Sequence, residues 1–178
     1  MCIRDSTLTG ADAALFAIDA VTGAVSFLAA PDFETPGDAD GDNVFDVTVT
    51  ASDGELSSSQ DVAITVTDVN EAPVVTSAAT VSVEENQTAT FTATATDVDG
   101  DTLTYTLAGA DAALFTIDAA TGAVSFLAAP DFETPGDADG DNVFDVTVTA
   151  SDGDLSSCLL YTSPSPRDRT RSRMPSSA

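Results

Sequence analysis

The segment Gly10-Ala-Asp-Ala-Ala-Leu-Phe16 recurs as Gly109-Ala-Asp-Ala-Ala-Leu-Phe115, a period of 99 residues. Across Thr7–Ser58 and Thr106–Ser157, 52 aligned positions differ only at Thr9/Ala108, Ala17/Thr116, Val21/Ala120 and Glu55/Asp154. One period has the length of one small domain, so the chain must fold as a tandem of like modules. Both copies are truncated. The first lacks the counterpart of about Val74–Tyr105, and the second lacks that of Ser59–Thr67. The chain therefore reads as a window into a longer array.

The match fails at Ser6/Tyr105 and again at Ser59/Cys158, and composition breaks at the same joints. All five basic residues (Arg4, Arg167, Arg169, Arg171, Arg173), both cysteines (Cys2, Cys158) and both methionines (Met1, Met174) lie at the ends. Cys158-Leu-Leu-Tyr-Thr-Ser163 can be encoded by TGT CTC TTA TAC ACA TCT, and the opposite strand of that DNA encodes Met-Cys-Ile-Arg-Asp, the chain's own start. Residues 1–6 and 158–178 accordingly resemble translated sequencing-adapter DNA, and 158–178 are expected to be disordered. The expected organisation is repeat 1 over 7–70, without its N-terminal strands, and repeat 2 over 71–157, without its last strand.

Strand signals dominate. Phe45, Val47, Val49 and Ala51 alternate with Asp46, Thr48 and Thr50, a period of two. Val62, Ile64 and Val66 alternate with Ala63 and Thr65, and the segments around Phe91–Ala95 and Leu103–Leu107 behave alike. Thr and Val suit a pleated surface. Thr116–Leu127 predicts a hairpin around Ala119-Ala-Thr-Gly122, Ala110–Leu114 a short helical turn, and Pro73 a linker or strand start. Strands at this spacing imply an all-β fold of antiparallel sandwiches, with Phe115, Phe126 and Phe144 in one core.

Charge narrows the chemistry. The formal net charge is −25, with 30 acids and no histidine. Thr7–Ser157 holds 28 of those acids and no Lys, Arg, His or Cys. That excludes disulfides, His or Cys metal ligands and Ser-His or Cys-His nucleophiles from the repeats. It also opposes nucleic acid as a partner. The acids cluster at loops and strand ends: Asp32-Phe-Glu34, Asp68-Val-Asn70-Glu71, Glu84-Glu85, Asp97-Val-Asp99-Gly-Asp101, Asp131-Phe-Glu133, Asp137-Ala-Asp139-Gly-Asp141-Asn142 and Asp152-Gly153. Two uncompensated carboxylates about 4 Å apart repel by roughly 4 kcal/mol at an effective dielectric of about 20. Ca2+ relieves that repulsion and accepts 6–8 oxygens in irregular geometry. Turn preference alone also enriches Asp, Asn and Gly, so a single cluster carries little weight.

Taken in order, the clusters resemble the motifs of the cadherin repeat in its bacterial form. Val83-Glu-Glu-Asn86 is similar to the P-E-N opening, with Glu84 where Pro is usual. Thr96-Asp-Val-Asp99-Gly is similar to the D-x-D loop, Ala129-Pro-Asp-Phe-Glu133 to L-D-R-E, Val148-Thr-Ala-Ser-Asp152-Gly to A-x-D-x-G, and Asp68-Val-Asn-Glu-Ala-Pro73 to the D-x-N-D-N-x-P linker, with Ala72 in place of Asn. The resemblance implies tandem Greek-key, immunoglobulin-like sandwiches with Ca2+ held where successive repeats meet. The implied ligands at that joint are Asp32, Glu34, Asp68, Asn70, Glu71, Asp97, Asp99 and Asp152, with Asp101 beside them. Glu85, Asp131 and Glu133 would serve the next joint. Asp137–Asn142 resembles the start of an EF-hand loop, but no closing Glu follows at the right distance; a local ion and a plain acidic loop both stay open there.

The expected function is a calcium-binding structural repeat of a large bacterial surface or secreted adhesin, extracellular and not an enzyme. Its implied partners are neighbouring repeats, other cell-surface proteins or glycans. The alternative is a calcium-dependent carbohydrate- or protein-binding module, for which Phe33 or Phe132 would supply an aromatic platform.

Overall fold

The computed structural model describes residues 5–88 and 90–164. The expectations for residues 1–4 and 165–178 lie outside the described residues. The chain divides into two compact units, Met1–Val69 and Asn70–Ala178. Both are built from antiparallel strands, with no α-helix among the described residues.

Unit 1 contains β1 (Asp5–Thr9), a 3-10 turn (Ala13–Leu15), β2 (Phe16–Ile18), β3 (Val25–Phe27), β4 (Val44–Ser52) and β5 (Ser57–Thr65). The sheet order is β1-β4-β5, with β2 and β3 as a separate hairpin. Unit 2 contains β6 (Val74–Val75), β7 (Thr90–Thr92), β8 (Ala95–Thr96), β9 (Thr104–Ala108), a 3-10 turn (Ala112–Leu114), β10 (Phe115–Ile117), β11 (Ala123–Phe126), β12 (Val143–Ser151) and β13 (Ser156–Pro164). One sheet runs β13-β12-β9; the other face carries β10-β11-β7 and the short pair β6-β8.

The period-two pattern decides which side chains enter the core. In β12, Phe144, Val146, Val148 and Ala150 are at most 3% exposed, while their neighbours are half-buried. They meet Val124 and Phe126 from β11, Phe115 from β10 and Tyr105 from β9. Phe115, Phe126 and Phe144 form one aromatic cluster with centroid separations of 4.3, 5.0 and 5.8 Å. Tilted and edge-on pairs of this kind add about 0.5–1.5 kcal/mol beyond simple burial.

The end of unit 2 departs from the sequence expectation. A missing last strand was expected after Ser157, yet Cys158–Pro164 continues β13, paired in register with β12 from Val143↔Pro164 to Ser151↔Ser156. The physical reason is a matching period: Leu159 and Tyr161 turn inward, while Cys158 and Leu160 stay exposed. Tyr161 is 1% exposed, stacks on Phe91 at 4.7 Å and hydrogen-bonds Ser77. Similarly, Asp5 and Ser6 extend β1 against Ser52 and Ala51. The Phe91–Ala95 alternation holds in burial, with Phe91, Ala93 and Ala95 inward and Thr92 and Thr94 exposed, but the pairing does not run through it. The Thr94 carbonyl accepts from Thr76 and Ser77 at 2.8 and 3.3 Å, and the strand splits into β7 and β8.

The same sequence is less deeply buried in unit 1. Val25, Phe27, Val49 and Ala51 are half-buried, whereas Val124, Phe126, Val148 and Ala150 are buried. In unit 2, β7 pairs with β11, and Val83 and Ala93 pack on the cluster. In unit 1 no described strand pairs with the outer edge of β3.

Candidate metal centre

Three stretches meet at one end of unit 2. The loop from Asp97 to Asp101 joins β8 to β9, the turn at Asp152 follows β12, and Asn70-Glu71 leads into the unit. Asp97 Oδ1 accepts the backbone N–H groups of Asp99 at 3.0 Å and Asp101 at 3.4 Å. This local turn carries the three carboxylates of Asp97, Asp99 and Asp101 to within 4.8 Å of one another. The Glu71 N–H donates to Asp99 Oδ2 at 2.9 Å, and Asn70 Nδ2 donates to Asp152 Oδ2 at 3.0 Å. Asp152 Oδ1 also accepts from Asp154 and Leu155 at 2.7 and 2.6 Å. The Leu155 N–H leads the causes that hold the Asp152 carboxyl below its usual range; desolvation opposes, and Asn70 assists.

Two oxygens in this cluster stand out. Asp97 Oδ2 and Asp99 Oδ1 are buried and have no hydrogen-bond partner. A buried carboxylate oxygen without a donor is costly, and an oxygen-seeking cation is the group that such a pair fits. The donor set is all oxygen, with carboxylates from Asp97, Asp99 and Asp101.

The other predicted residues divide by position. Glu85, Asp131 and Glu133 gather at the opposite end of unit 2, within 4.8 Å of one another. There Glu85 Oε2 accepts from the Phe132 N–H at 3.3 Å, and Asp131 Oδ1 from Glu133 at 3.1 Å. In unit 1, Asp32, Glu34 and Asp68 share the end where β4 begins and β5 finishes, because Asn43 ties the loop through the Phe33 carbonyl and Val66 bonds to Asn43. Glu34 and Asp68 bring carboxylate oxygens within 4.8 Å of each other. Asp32 accepts the Thr35 N–H at 3.1 Å.

The structure also gives roles to acids that the motif reading passed over. Asp12 and Asp111 are 3% exposed. Asp111 accepts the Ala138 and Asp145 N–H groups, both at 2.7 Å, and Asp12 repeats this with Ala39 and Asp46 at 2.8 and 2.7 Å. Each carboxylate pins the acidic loop to the start of the long central strand. The sequence signal was available: an Asp inside the otherwise apolar Gly-Ala-Asp-Ala-Ala-Leu-Phe segment is a polar group in need of buried partners.

The acidic loop itself is internally organised. Asp137, 8% exposed, accepts from Asp141 at 2.8 Å and Asn142 at 3.2 Å. Desolvation works to raise the Asp137 carboxyl, but backbone donors at Asp137 and Asp141 and the Asp139 carboxyl outweigh it and hold it low. Asp139 is pushed up, first by sharing a hydrogen bond with Asp137, then by desolvation and the charge of Asp141. Asp38 and Asp40 repeat this opposition in unit 1.

Fold and site together define a tandem of all-β sandwich repeats with acidic loops at their ends. The profile of the bacterial Ig domain family matches residues 70–159, and the chain belongs to that family. Its repeats are cadherin-like in architecture. Human protocadherin-24 EC1-2 superposes with a TM-score of 0.64 at 20% identity, covering 92% of this chain and 81% of that one. Mouse cadherin-23 EC22-24 gives 0.60 at 24%, covering 91% and 52%. Protocadherin gamma C5 EC1-3 gives 0.60 at 22%, covering 89% and 55%. The chain thus spans about half the length of the latter two. No curated protein matches the chain in sequence.

Proposed function

We propose that the chain is a calcium-stiffened structural repeat of an extracellular bacterial adhesin or stalk, with no catalytic role. The observation that carries this reading is the pair of buried, unpartnered carboxylate oxygens on Asp97 and Asp99, in repeats that contain no basic side chain to neutralise them. Ca2+ would be held by Asp97, Asp99 and Asp101, with Asn70, Glu71 and Asp152 contributing oxygen. Asp32, Glu34 and Asp68 of the preceding repeat would complete the shell. Glu85, Asp131 and Glu133 would form the corresponding half-site for a following repeat.

The mechanism is electrostatic. Without the ion, clustered carboxylates repel and the connection between repeats bends freely. With it, opposite faces of one cation are shared by consecutive repeats. Each site filled at about 100 times its dissociation constant adds about 2.7 kcal/mol to the ordered state. Extracellular calcium modules bind at about 10⁻⁴–10⁻³ M, so the array would stiffen outside the cell and relax at cytosolic calcium. The ligands of such an adhesin are other cell-surface proteins or glycans.

The test is melting temperature and small-angle scattering of the chain in millimolar calcium and in chelator. Calcium should raise the melting temperature and narrow the distribution of scattering dimensions. Converting Asp97 and Asp99 together to Asn should remove most of both responses. Equal melting and scattering in the two buffers refutes the reading.

A further inference from the structure

Five Asp-Gly steps occur in the chain, at Asp40, Asp53, Asp99, Asp139 and Asp152. Such a step can react with itself, because glycine has no Cβ to shield its backbone nitrogen from the preceding side chain. The five glycines do not differ in this respect, since a Cβ added to any of them would meet nothing within 4 Å. The aspartates do differ. Asp53, Asp99 and Asp152 are half-buried, and backbone donors hold each carboxylate. Asp53 accepts from Glu55 and Leu56 at 3.0 and 2.8 Å, Asp99 from Glu71 at 2.9 Å, and Asp152 from Asp154 and Leu155 at 2.7 and 2.6 Å. Bonds of this kind favour the ionised form, and a carboxylate is a poor electrophile. Asp40 and Asp139 are exposed. The first influence on Asp139 is the Asp137 side chain, followed by desolvation and the charge of Asp141, and its carboxyl is pushed up. Asp40 is pushed up in the same way, first by Asp38 and then by the charge of Asp42.

We propose that Asp139-Gly140 and Asp40-Gly41 are the sites at which this chain spontaneously forms isoaspartate. The Gly140 nitrogen attacks Asp139 Cγ. A C–N bond forms, the C–OH bond breaks, and the amide proton leaves with the hydroxyl as water. The product is a five-membered succinimide. Water then opens the ring at either carbonyl: one route restores aspartate, and the other leaves the main chain running through Cβ and Cγ. Mass is unchanged and no other reactant is needed. The altered link falls between two anchors. Asp111 pins the Ala138 N–H at 2.7 Å, and Asp137 pins that of Asp141 at 2.8 Å. One extra main-chain atom between them loosens an anchor. Asp12 and Asp38 bracket Asp40 likewise, through Ala39 and Asp42 at 2.8 Å each. Each repeat thus carries its own ageing point beside its long central strand.

The test ages the full chain in chelator, in mildly acidic buffer at body temperature, both native and in urea. Chymotryptic cleavage after phenylalanine releases Glu34–Phe45, which is identical to Glu133–Phe144, so one peptide reads both loops. Glu55 and Asp154 distinguish the peptides that carry Asp53 and Asp152. Electron-transfer fragmentation locates isoaspartate, and methyl transfer by an isoaspartyl methyltransferase counts it. Per site, it should accumulate at Asp40 and Asp139 several-fold faster than at Asp53, Asp99 or Asp152 in the native chain. That preference should vanish in urea. The double variant Asp40→Glu, Asp139→Glu, whose longer side chains close an imide ring poorly, should keep its melting temperature on ageing while that of the wild type falls. If the double variant does not fold, the native and urea comparison decides alone. Isoaspartate spread evenly over the five sites of the native chain, or gathered at Asp152, overturns the proposal. A preference that survives urea also overturns it, because the local sequence rather than the folded loop would then set the rate.

Discussion

Replacing Asp111 by Ala isolates the contribution of one buried carboxylate. Its oxygens take two backbone N–H groups at 2.7 Å, from Ala138 and Asp145, at a site 3% exposed. A hydrogen bond to a charged group contributes about 1.5–3 kcal/mol, and its loss leaves a buried donor unsatisfied. Two such bonds give about 3–6 kcal/mol, a large part of the 5–15 kcal/mol that holds a domain together. With a urea dependence of about 1.5 kcal/mol per molar, the unfolding midpoint should fall by about 2 M or more. The chain supplies its own reporter: its two tyrosines, Tyr105 and Tyr161, are both in the core of repeat 2, and it has no tryptophan. Tyrosine fluorescence therefore follows repeat 2 alone. Asp12→Ala removes the matching bonds in repeat 1 and should leave the tyrosine transition in place while lowering total ellipticity loss in a separate step. Asp111→Asn, which retains one acceptor, should fall between wild type and Asp111→Ala. If Asp111→Ala shifts the tyrosine midpoint no more than a change at exposed Asp154, the carboxylate is not the staple its geometry describes.

Two further outcomes follow from the other carboxylates. Asp139→Asn should raise the melting temperature of repeat 2 in chelator at neutral pH. Asp139 is pushed above its usual range by Asp137, so its ionisation opposes folding above that raised value; a lower melting temperature contradicts this. Asp118 is held below its ordinary 3.8, chiefly by the Thr121 N–H. Its stabilisation is complete above that ordinary value and disappears as pH falls through the lowered one. Melting followed from about pH 5 to about pH 2 should decline less steeply in Asp118→Asn than in wild type, and identical slopes refute the assignment.

How much of this was legible depended on whether a feature was local. The strand Val44–Ser52 was readable because alternation over nine residues has one meaning when one face is buried. Strand Ser57–Thr65 begins earlier than its apolar signal at Val62, since Ser57–Asp61 are held by pairing with β4 rather than by their own pattern. The Asp97–Asp101 cluster was readable because D-x-D-x-D spacing and a loop suffice to converge three carboxylates. The Asn70–Asp152 contact joins residues 82 apart, and only the family resemblance put them together. Tyr161 illustrates the opposite failure. The segment's resemblance to translated adapter DNA argued against structure, but a core accepts any chain of suitable period and volume. Leu159 and Tyr161 provide both.

The carboxylates sort into two physical classes, and the sorting explains why so acidic a chain can fold. With no basic side chain between Thr7 and Ser157, the internal counter-dipoles that bind the anions are chiefly backbone N–H groups, joined by hydroxyl and amide donors. Asp12, Asp19, Asp53, Asp111, Asp118, Asp137 and Asp152 each accept two or more backbone bonds, so their charge is spent on shaping turns and loop anchors. Backbone donors are finite, however, and a turn of five residues containing three aspartates exhausts them. Asp97 takes two donors on one oxygen and leaves the other buried without a partner; Asp99 takes one and does the same. Turns and loop anchors together account for the first class. They leave an unmet electrostatic demand in the second, and the demand falls at the end of repeat 2 where the linker enters. A cation there would act on the connection between modules as well as on the sandwich that supplies its ligands, so double substitution of Asp97 and Asp99 should remove the calcium response of the scattering and of the tyrosine unfolding midpoint together.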